Sequence, residues 1–352
     1  AKGALEDVLP RAARRCACTC SANASVFFAS SSFALQVLVA KEKSTINKQM
    51  ERVSSLAHNS PLLAANGDDG KRLAFSSSVV LLVMQLTLAV ALGAGMAAGL
   101  WEMVSPWLAP LGGVVVGGVL VLFRRLDSRF FAYYLMHDYA FSAQANGAYP
   151  AALEARLAVF KQAVVEGLQR DVDEVLVVGH SSGAYLAVSV LADVLRTVQL
   201  APNGPMLNFL SLGQVVPMVS FLPNAMRLRG DLQYLAGCDQ MAWVDVSALG
   251  DVCAFALCDP VAVSGVAPVS QYWPVVFSAA FSQTLSPARW RRIRWRFLRV
   301  HFQYLCAFDC PNDYDYFQIT AGPLTLRQRL GSRASSPSCI TEAVSKYTAV
   351  RP

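Results

Sequence analysis

The segment EVLVVGHSSGAYLAVSVL, residues Glu174–Leu191, carries the pattern that decides the fold. A short run of β-favouring residues, Val175–Val178, leads into Gly-His-Ser-Ser-Gly, and an apolar stretch rich in small residues follows. An apolar run bounded by glycine and followed by helical spacing predicts a strand, a sharp turn and a helix. In this turn only Ser181 has glycine both two residues before it and two residues after it.

A serine at such a turn is suited to nucleophilic chemistry. Strained backbone angles lift its Oγ above the sheet, and side chains at the flanking glycines would clash with the neighbouring strand and helix. The N-terminus of the following helix offers backbone N–H groups to an oxyanion. The pattern therefore predicts Ser181 as a nucleophile, with a purely structural turn as the alternative.

Strands and helices alternate on either side of this turn. This alternation predicts an α/β domain with a mostly parallel sheet covered by helices. Residues 261–300 are less regular. The predicted strands are 129–136, 174–179, 206–213 and 241–249, and the predicted helices are 150–170, 182–198 and 224–237.

A serine nucleophile needs a base, and the chain has four histidines. In folds with this turn the chain order is serine, acid, histidine. His58 and His137 precede Ser181, and the side chain of His180 is expected to point away across the turn. His301 is the only histidine after Ser181 and is predicted to be the base, with a packed core histidine as the alternative.

The acid should lie between Ser181 and His301, a stretch that contains no glutamate. An acid just past the carboxyl end of a strand reaches the same edge of the sheet as the serine. Asp251 has this position and is our first choice, although an ordinary turn aspartate explains it nearly as well. Asp245, inside a predicted strand, and Asp259, in a loop, are the alternatives.

The oxyanion is predicted to bind two backbone N–H groups. One belongs to Ser182, directly after the nucleophile. The second is expected near His137 or Asp138, at the end of the strand predicted at 129–136.

Two long apolar runs precede the α/β region. Leu73–Trp101 and Met103–Phe123 contain no charged residue, and each is long enough to cross a bilayer as a helix. They predict a transmembrane helical hairpin with close approach at its glycines, the alternative being a helical pair buried in a soluble core. Basic residues flank both outer ends and are absent from the connecting loop, which puts both ends in the cytoplasm. The flanking residues are Lys71, Arg72, Arg124, Arg125 and Arg129.

The predicted organisation has four parts. Residues 1–70 form an N-terminal extension that we expect to be poorly ordered, with a targeting segment as the alternative. The hairpin occupies 71–125, the α/β domain 126–330 and a C-terminal tail 331–352. Only 15% of the residues are charged, against about 25% in typical soluble proteins. The nine cysteines, an odd number, argue against a secreted disulfide scaffold, and we expect reduced, mostly buried thiols.

A basic segment, RWRRIRWRFLR, leads directly into His301. Arginines interleaved with aromatic residues suit the anionic headgroups of a membrane surface. A solvated basic helix paired with the acidic residues of DCPNDYDYF is an equal alternative, and a net charge of +6 is too small to predict nucleic-acid binding. The arginines expected to contact headgroups are Arg289, Arg291, Arg292, Arg294 and Arg296.

Taken together, VLVVGHSSGA, ALGDV after a strand, and HFQY resemble the α/β-hydrolase superfamily and, more loosely, its class 3 lipase-like members, over about residues 128–305. The resemblance implies a minimal hydrolase-type sheet and ester hydrolysis through an acyl-enzyme, without metal or organic cofactor. It implies that Ser181 attacks, His301 transfers the proton and Asp251 orients His301. The chain departs from the family where the apolar hairpin replaces its early strands, and at Ser264–Ser286, which matches no part of it.

The expected function is therefore that of an integral membrane serine hydrolase on the cytoplasmic side, with an ester or lipid substrate. A non-catalytic membrane protein whose α/β domain is a binding or assembly module is the alternative, in which Ser181 and His301 need not meet.

Overall fold

A computed structural model of the chain describes residues 26–28, 35–41, 76–103, 106–108, 110–125, 141 and 145–351. The chain forms two compact units. One comprises Leu73–Gln144, and the other comprises Ala1–Arg72 together with Ala145–Pro352.

The larger unit is built on one six-stranded sheet. Its strands follow the chain order β1 to β6. Strands β3, β4, β5 and β6 run parallel to one another, whereas β2 runs antiparallel to both of its neighbours, β1 and β3. The predicted α/β class with a mostly parallel sheet is thus confirmed. The strands are β1 (Val26–Phe28), β2 (Leu35–Lys41), β3 (Glu174–His180), β4 (Met206–Leu212), β5 (Ala242–Ser247) and β6 (Val275–Ser278).

The central strands are apolar along their whole length because both faces of the parallel sheet are covered. Every residue of β3 and β5 is buried. Helices pack against the sheet and bury small and branched side chains, most of all α4, which follows β3. The α-helices of this unit are α3 (Ala151–Leu168), α4 (Gly183–Thr197), α5 (Val216–Ser220), α6 (Met226–Ala236), α7 (Pro260–Val263), α8 (Phe281–Thr284), α9 (Pro287–Ile293), α10 (Phe297–His301), α11 (Tyr316–Ala321) and α12 (Leu326–Leu330).

The strands and helices predicted between residues 150 and 249 form close to their predicted bounds. The strand predicted at 129–136 lies outside the described residues. Strands β1, β2 and β6 were not predicted, and β2 and β6 flank the predicted strands on either side. None of the three has a clear periodic signal in the sequence. Strand β1 has three residues, and β6 has four residues and directly follows Pro274.

The C-terminal tail contacts the larger unit along its length. Ile340 pairs with Cys258 as an isolated parallel bridge. The buried guanidinium of Arg229 donates from Nε to the carbonyl of Ala349 at 2.7 Å. Its other nitrogens donate to the carbonyls of Ser220, Leu222 and Pro223. Because these acceptors satisfy the buried cation, they tie the tail to α6.

The smaller unit contains two packed helices, α1 (Ser76–Met103) and α2 (Leu111–Arg125). Their backbones approach closely at Gly93 and Gly112, where a Cβ would lie within 2.7 Å of backbone oxygen on the other helix. The other predicted contact glycines, such as Gly95 and Gly117, have open space around them.

Among the described helices, α1 alone is long and apolar enough to cross a membrane, over Met84–Glu102. Core helices of soluble proteins satisfy the same criterion. Helix α2 has 15 residues, about 22 Å of helix against a hydrocarbon core of about 30 Å. The run Met103–Phe123 contains Pro106 and Pro110, and α2 begins only after Pro110 because proline does not continue a helix.

The six described cysteines are all free thiols. The expectation that the thiols are mostly buried is wrong for this part of the chain. Only Cys306 is buried, Cys310 is exposed, and the remaining four are half-buried.

Candidate active site

Ser181 occupies the sharp turn between β3 and α4. Its φ of +57° is in the left-handed region, which non-glycine residues adopt rarely and at a cost in strain. Its N–H donates to the carbonyl of Leu212 at the end of β4, and its own carbonyl accepts from Ala184 in α4. The predicted strand, turn and helix are therefore present, and Ser181 lies at the carboxyl edge of the parallel strands.

Gly179 allows α4 to approach β3 at this turn. A Cβ at this position would lie 2.8 Å from Cα of Ala184 and 2.9 Å from the carbonyl oxygen of Gly183. Both atoms belong to backbone, so neither can move aside without displacing the helix. The sequence requirement for glycine two residues before Ser181 thus has a direct steric cause.

Asp251 and His301 form a buried hydrogen-bonded pair. Asp251 follows β5, and its Oδ2 lies 2.7 Å from Nδ1 of His301, the last residue of α10. Oδ1 of Asp251 accepts the backbone N–H of Cys253, which fixes the plane of the carboxylate. Both side chains are almost fully buried. With Nδ1 protonated toward the carboxylate, Nε2 of His301 is the basic nitrogen.

The ring of His301 lies beside the turn. A Cβ on Gly213, the residue after Leu212, would lie 3.3 Å from Cε1 of His301. Nε2 of His301 is buried and makes no hydrogen bond within the described part of the chain, Ser181 Oγ included. The structure therefore brings Asp251 and His301 into contact and places His301 next to the turn. It shows no hydrogen bond between the described residues His301 and Ser181.

His180 faces His301, which corrects the expectation that its side chain points away across the turn. Its Nε2 lies 2.9 Å from the carbonyl oxygen of His301, and the two rings are 4.5 Å apart. Burial and the neighbouring His301 lower the pKa of His180 to about 3. His180 is therefore neutral at physiological pH, and its Nε2–H donates to that carbonyl.

The two alternative acids are engaged elsewhere. Asp245 lies inside β5 and accepts a hydrogen bond from the hydroxyl of Ser211, while burial raises its pKa to about 8. Asp259 caps α7 by accepting from the N–H groups of Val261 and Ala262. Among the three candidates considered, Asp251 is the one that contacts His301.

Of the predicted oxyanion residues, Ser182 is described and is the N-cap of α4. Its backbone N–H lies at the positive end of a 15-residue helix. His137 and Asp138 lie outside the described residues.

Asp251, Cys253 and His301 have ligand atoms within 4.8 Å of one another and resemble a metal-binding set. The donor chemistry fits a hydrogen-bonded pair better, because Nδ1 of His301 is bonded to Asp251. Burial and the charge of Asp251 also raise the pKa of the Cys253 thiol, whereas a metal ligand must be a thiolate.

The basic segment contacts the loop that carries Asp251. Trp290 in α9 packs over Gly250, where a Cβ would lie 2.7 Å from its ring. Nη1 of Arg289 donates to Asp309 at 3.0 Å, which is the pairing with the downstream acidic segment considered above. Trp295 is 74% exposed, and the guanidinium of Arg294 lies over its ring. The exposed arginines of the basic segment are Arg291, Arg292, Arg294 and Arg296.

Sequence reasoning missed His180 and Gly213 as neighbours of His301. The Gly213 position carried a usable signal, since a glycine directly after a parallel strand lies at the same edge as Ser181. No family model matches the chain, and neither does any curated protein or solved structure.

Proposed function

We propose that the protein is a serine hydrolase that cleaves carboxylic esters, with Ser181 as nucleophile, His301 as base and Asp251 as the orienting acid. The observation that carries the proposal is the buried hydrogen bond between Asp251 and His301 next to the strained turn at Ser181. A minimal α/β-hydrolase-type domain accounts for this combination, because the acid follows the second strand after the nucleophile and the histidine follows the third.

Each residue has a defined role in the proposed reaction. Oγ of Ser181 bonds to the ester carbonyl carbon while its proton moves to Nε2 of His301. The carbon–oxygen bond to the alcohol then breaks, and His301 gives the proton to the leaving oxygen. In the second half, water attacks the acyl carbon and gives a proton to Nε2 of His301. The bond from the acyl carbon to Oγ of Ser181 then breaks, His301 returns the proton to Oγ, and the carboxylic acid leaves. Asp251 holds Nδ1–H throughout and stabilises the imidazolium.

The transition state carries negative charge on the former carbonyl oxygen. The N–H of Ser182 at the start of α4 is the proposed donor from the described residues, assisted by the helix dipole. The second donor is proposed near His137 or Asp138. Substrate binding has to bring Oγ of Ser181 and Nε2 of His301 within hydrogen-bonding distance, a tightening that is common between free and substrate-bound enzymes.

Hydrolysis of p-nitrophenyl esters of increasing acyl length tests the proposal on the detergent-purified full chain. We expect turnover in the wild type and none above background in Ser181→Ala. Ser220→Ala is the matched control, since it removes a buried hydroxyl that bonds Ser264 away from the site. Equal turnover in Ser181→Ala and the wild type would refute the proposed nucleophile.

We further propose that the domain works at the cytoplasmic face of a bilayer, with lipid esters as candidate substrates. In this proposal α1 and α2 form a membrane hairpin, and the bilayer thins locally around the shorter α2. Helix α1 exposes apolar side chains that water does not favour, and the exposed arginines of the basic segment are suited to anionic headgroups. The exposed side chains of α1 include Met84, Leu86, Leu88, Val90 and Leu92.

Quenching by brominated anionic lipids in nanodiscs tests the surface contact of the full chain. We expect the brominated lipids to quench the fluorescence of Trp295, so that part of the quenching seen in the wild type is absent in Trp295→Phe. Salt, or replacement of the four exposed arginines with glutamine, should weaken this part. Quenching that is identical in the wild type and Trp295→Phe would contradict the contact.

One observation favours the second candidate function, a non-catalytic binding or assembly module. Nε2 of His301 is buried and makes no hydrogen bond to any described residue, as it would in a domain whose histidine is only structural. The ester assay separates the two, because a module gives no turnover that depends on Ser181.

A further inference from the structure

We propose that His180 is a positioning residue that holds His301 in place for the reaction at Ser181. This inference rests on the proposed function and adds to it a residue that acts through the base rather than on the substrate. Its basis is one hydrogen bond, from Nε2–H of His180 to the carbonyl oxygen of His301 at 2.9 Å.

The bond joins two parts of the site that are distant in sequence. His180 is the last residue of β3 and is covalently attached to Ser181, whereas the acceptor lies 121 residues further along, at the end of α10. A donor on the residue next to the nucleophile thereby fixes the backbone of the base relative to the turn. Asp251 fixes the other side of the same residue through Nδ1. Together the two contacts restrain both the backbone and the ring of His301.

The surroundings of His180 keep its ring neutral and in place, so that it acts as a hydrogen-bond donor to His301. The residue is 1% exposed, and its ring packs against those of His301 and Phe302, at centroid distances of 4.5 and 5.0 Å. Burial and the neighbouring imidazole keep the ring neutral. The carbonyl acceptor selects the tautomer with the proton on Nε2, and Nδ1 has no partner among the described residues. A neutral donor next to the base also adds no positive charge that would oppose protonation of His301 during the reaction.

The chemistry explains why a histidine suits this position better than another aromatic residue. Phenylalanine would fill the same space and keep the ring contacts but would leave the carbonyl of His301 without this donor. Glutamine carries its amide nitrogen at about the reach of Nε2 and can make the same bond without a ring. The two substitutions therefore separate the donor from the packing.

The test uses the full-length chain in detergent and five proteins: wild type, His180→Phe, His180→Gln, Tyr314→Phe and, for the second readout, Asp251→Asn. Tyr314→Phe is the matched control, because its buried hydroxyl donates at 2.8 Å to the carbonyl of Tyr304, in the turn that follows His301. Chemical denaturation measures the stability of each protein. A general loss of structure can then be distinguished from a displacement of His301 in a folded protein.

The first readout is the rate at which a fluorophosphonate labels Ser181. We expect His180→Phe to slow labelling at saturating probe by about tenfold or more, since small displacements of a catalytic group have effects of this size. His180→Gln should recover most of the rate, and Tyr314→Phe should match the wild type despite a comparable loss of stability. Wild-type labelling in His180→Phe would overturn the proposal.

The second readout does not depend on catalysis. The Nδ1 proton of His301, held by Asp251, should give a low-field proton NMR resonance that Asp251→Asn removes. We expect His180→Phe to shift or broaden this resonance and His180→Gln to restore it. If the wild type is not labelled at all, the proposed function fails, and this resonance alone decides whether His180 positions His301. An unchanged resonance in His180→Phe would refute the positioning role.

Discussion

The Nδ1 atom of His301 lies 2.7 Å from Oδ2 of Asp251 in the buried edge of the sheet, although 50 residues separate them. The contact forms because Asp251 follows β5 and α10 returns the chain to the same edge. A neutral histidine held in this way has one nitrogen left to act as a base.

Replacing Asp251 with asparagine should abolish most of the activity. The amide can donate to His301 and favour the wrong tautomer, and we expect kcat for ester hydrolysis to fall by about 1,000 to 10,000-fold. Ester turnover measured at several pH values checks this. Asp259→Asn is the control, since asparagine keeps the cap of α7 and should leave turnover close to that of the wild type. The reverse pattern, with Asp259→Asn inactive and Asp251→Asn active, would show that the acid is misassigned.

Replacing Gly179 with alanine should damage the turn itself. The new Cβ would meet backbone atoms of Gly183 and Ala184 at 2.8 to 2.9 Å, and relieving that overlap should lower the free energy of unfolding by about 1–3 kcal/mol. Ester turnover should fall as well, because the turn carries Ser181. Gly237→Ala is the control, since the nearest atom to its Cβ lies 3.7 Å away. Equal stability of the two variants in urea would contradict the steric account of the turn.

Asp245 should make stability depend on pH. Its folded pKa, raised to about 8 chiefly by burial, exceeds an unfolded value of about 3.9, so the folded state binds the extra proton between these values. Its contribution to stability is therefore fully present below about pH 4 and is lost as pH rises to about 8. Asparagine does not titrate, so the stability difference, wild type minus Asp245→Asn, should fall across that range in urea titrations. A difference that is constant or rises with pH would show that Asp245 is ionised in the folded protein.

Much of the fold between residues 150 and 249 could be predicted from sequence. The strand and helix around Ser181 have unambiguous apolar patterns, and the rule that an acid follows a strand end put Asp251 first. His301 followed from the chain order expected of this fold. The strand and helix predictions succeeded because they depend on local apolar pattern. The roles of Asp251 and His301 stay predictions, although the structure brings the two side chains into contact at the edge that the parallel strands share.

Other features depend on contacts that no local pattern encodes. The acceptor of His180 lies 121 residues away, so the orientation of its ring could not be read from the turn alone. The strands β1, β2 and β6 are short or weakly patterned and were missed. The second apolar run is free of charge, yet Pro106 and Pro110 leave room for a helix of only 15 residues after them.

Labelling with a fluorophosphonate probe tests the central claim most directly, because the probe reacts with a serine only when that serine is activated by a base. The full chain in detergent is treated with the probe, digested with trypsin and sequenced by mass spectrometry. We expect the adduct on Ser181 within the tryptic peptide Asp171–Arg196, and no adduct in Ser181→Ala. If the folded wild type remains unlabelled while a known serine hydrolase is labelled in the same detergent, the proposed serine hydrolase function is wrong.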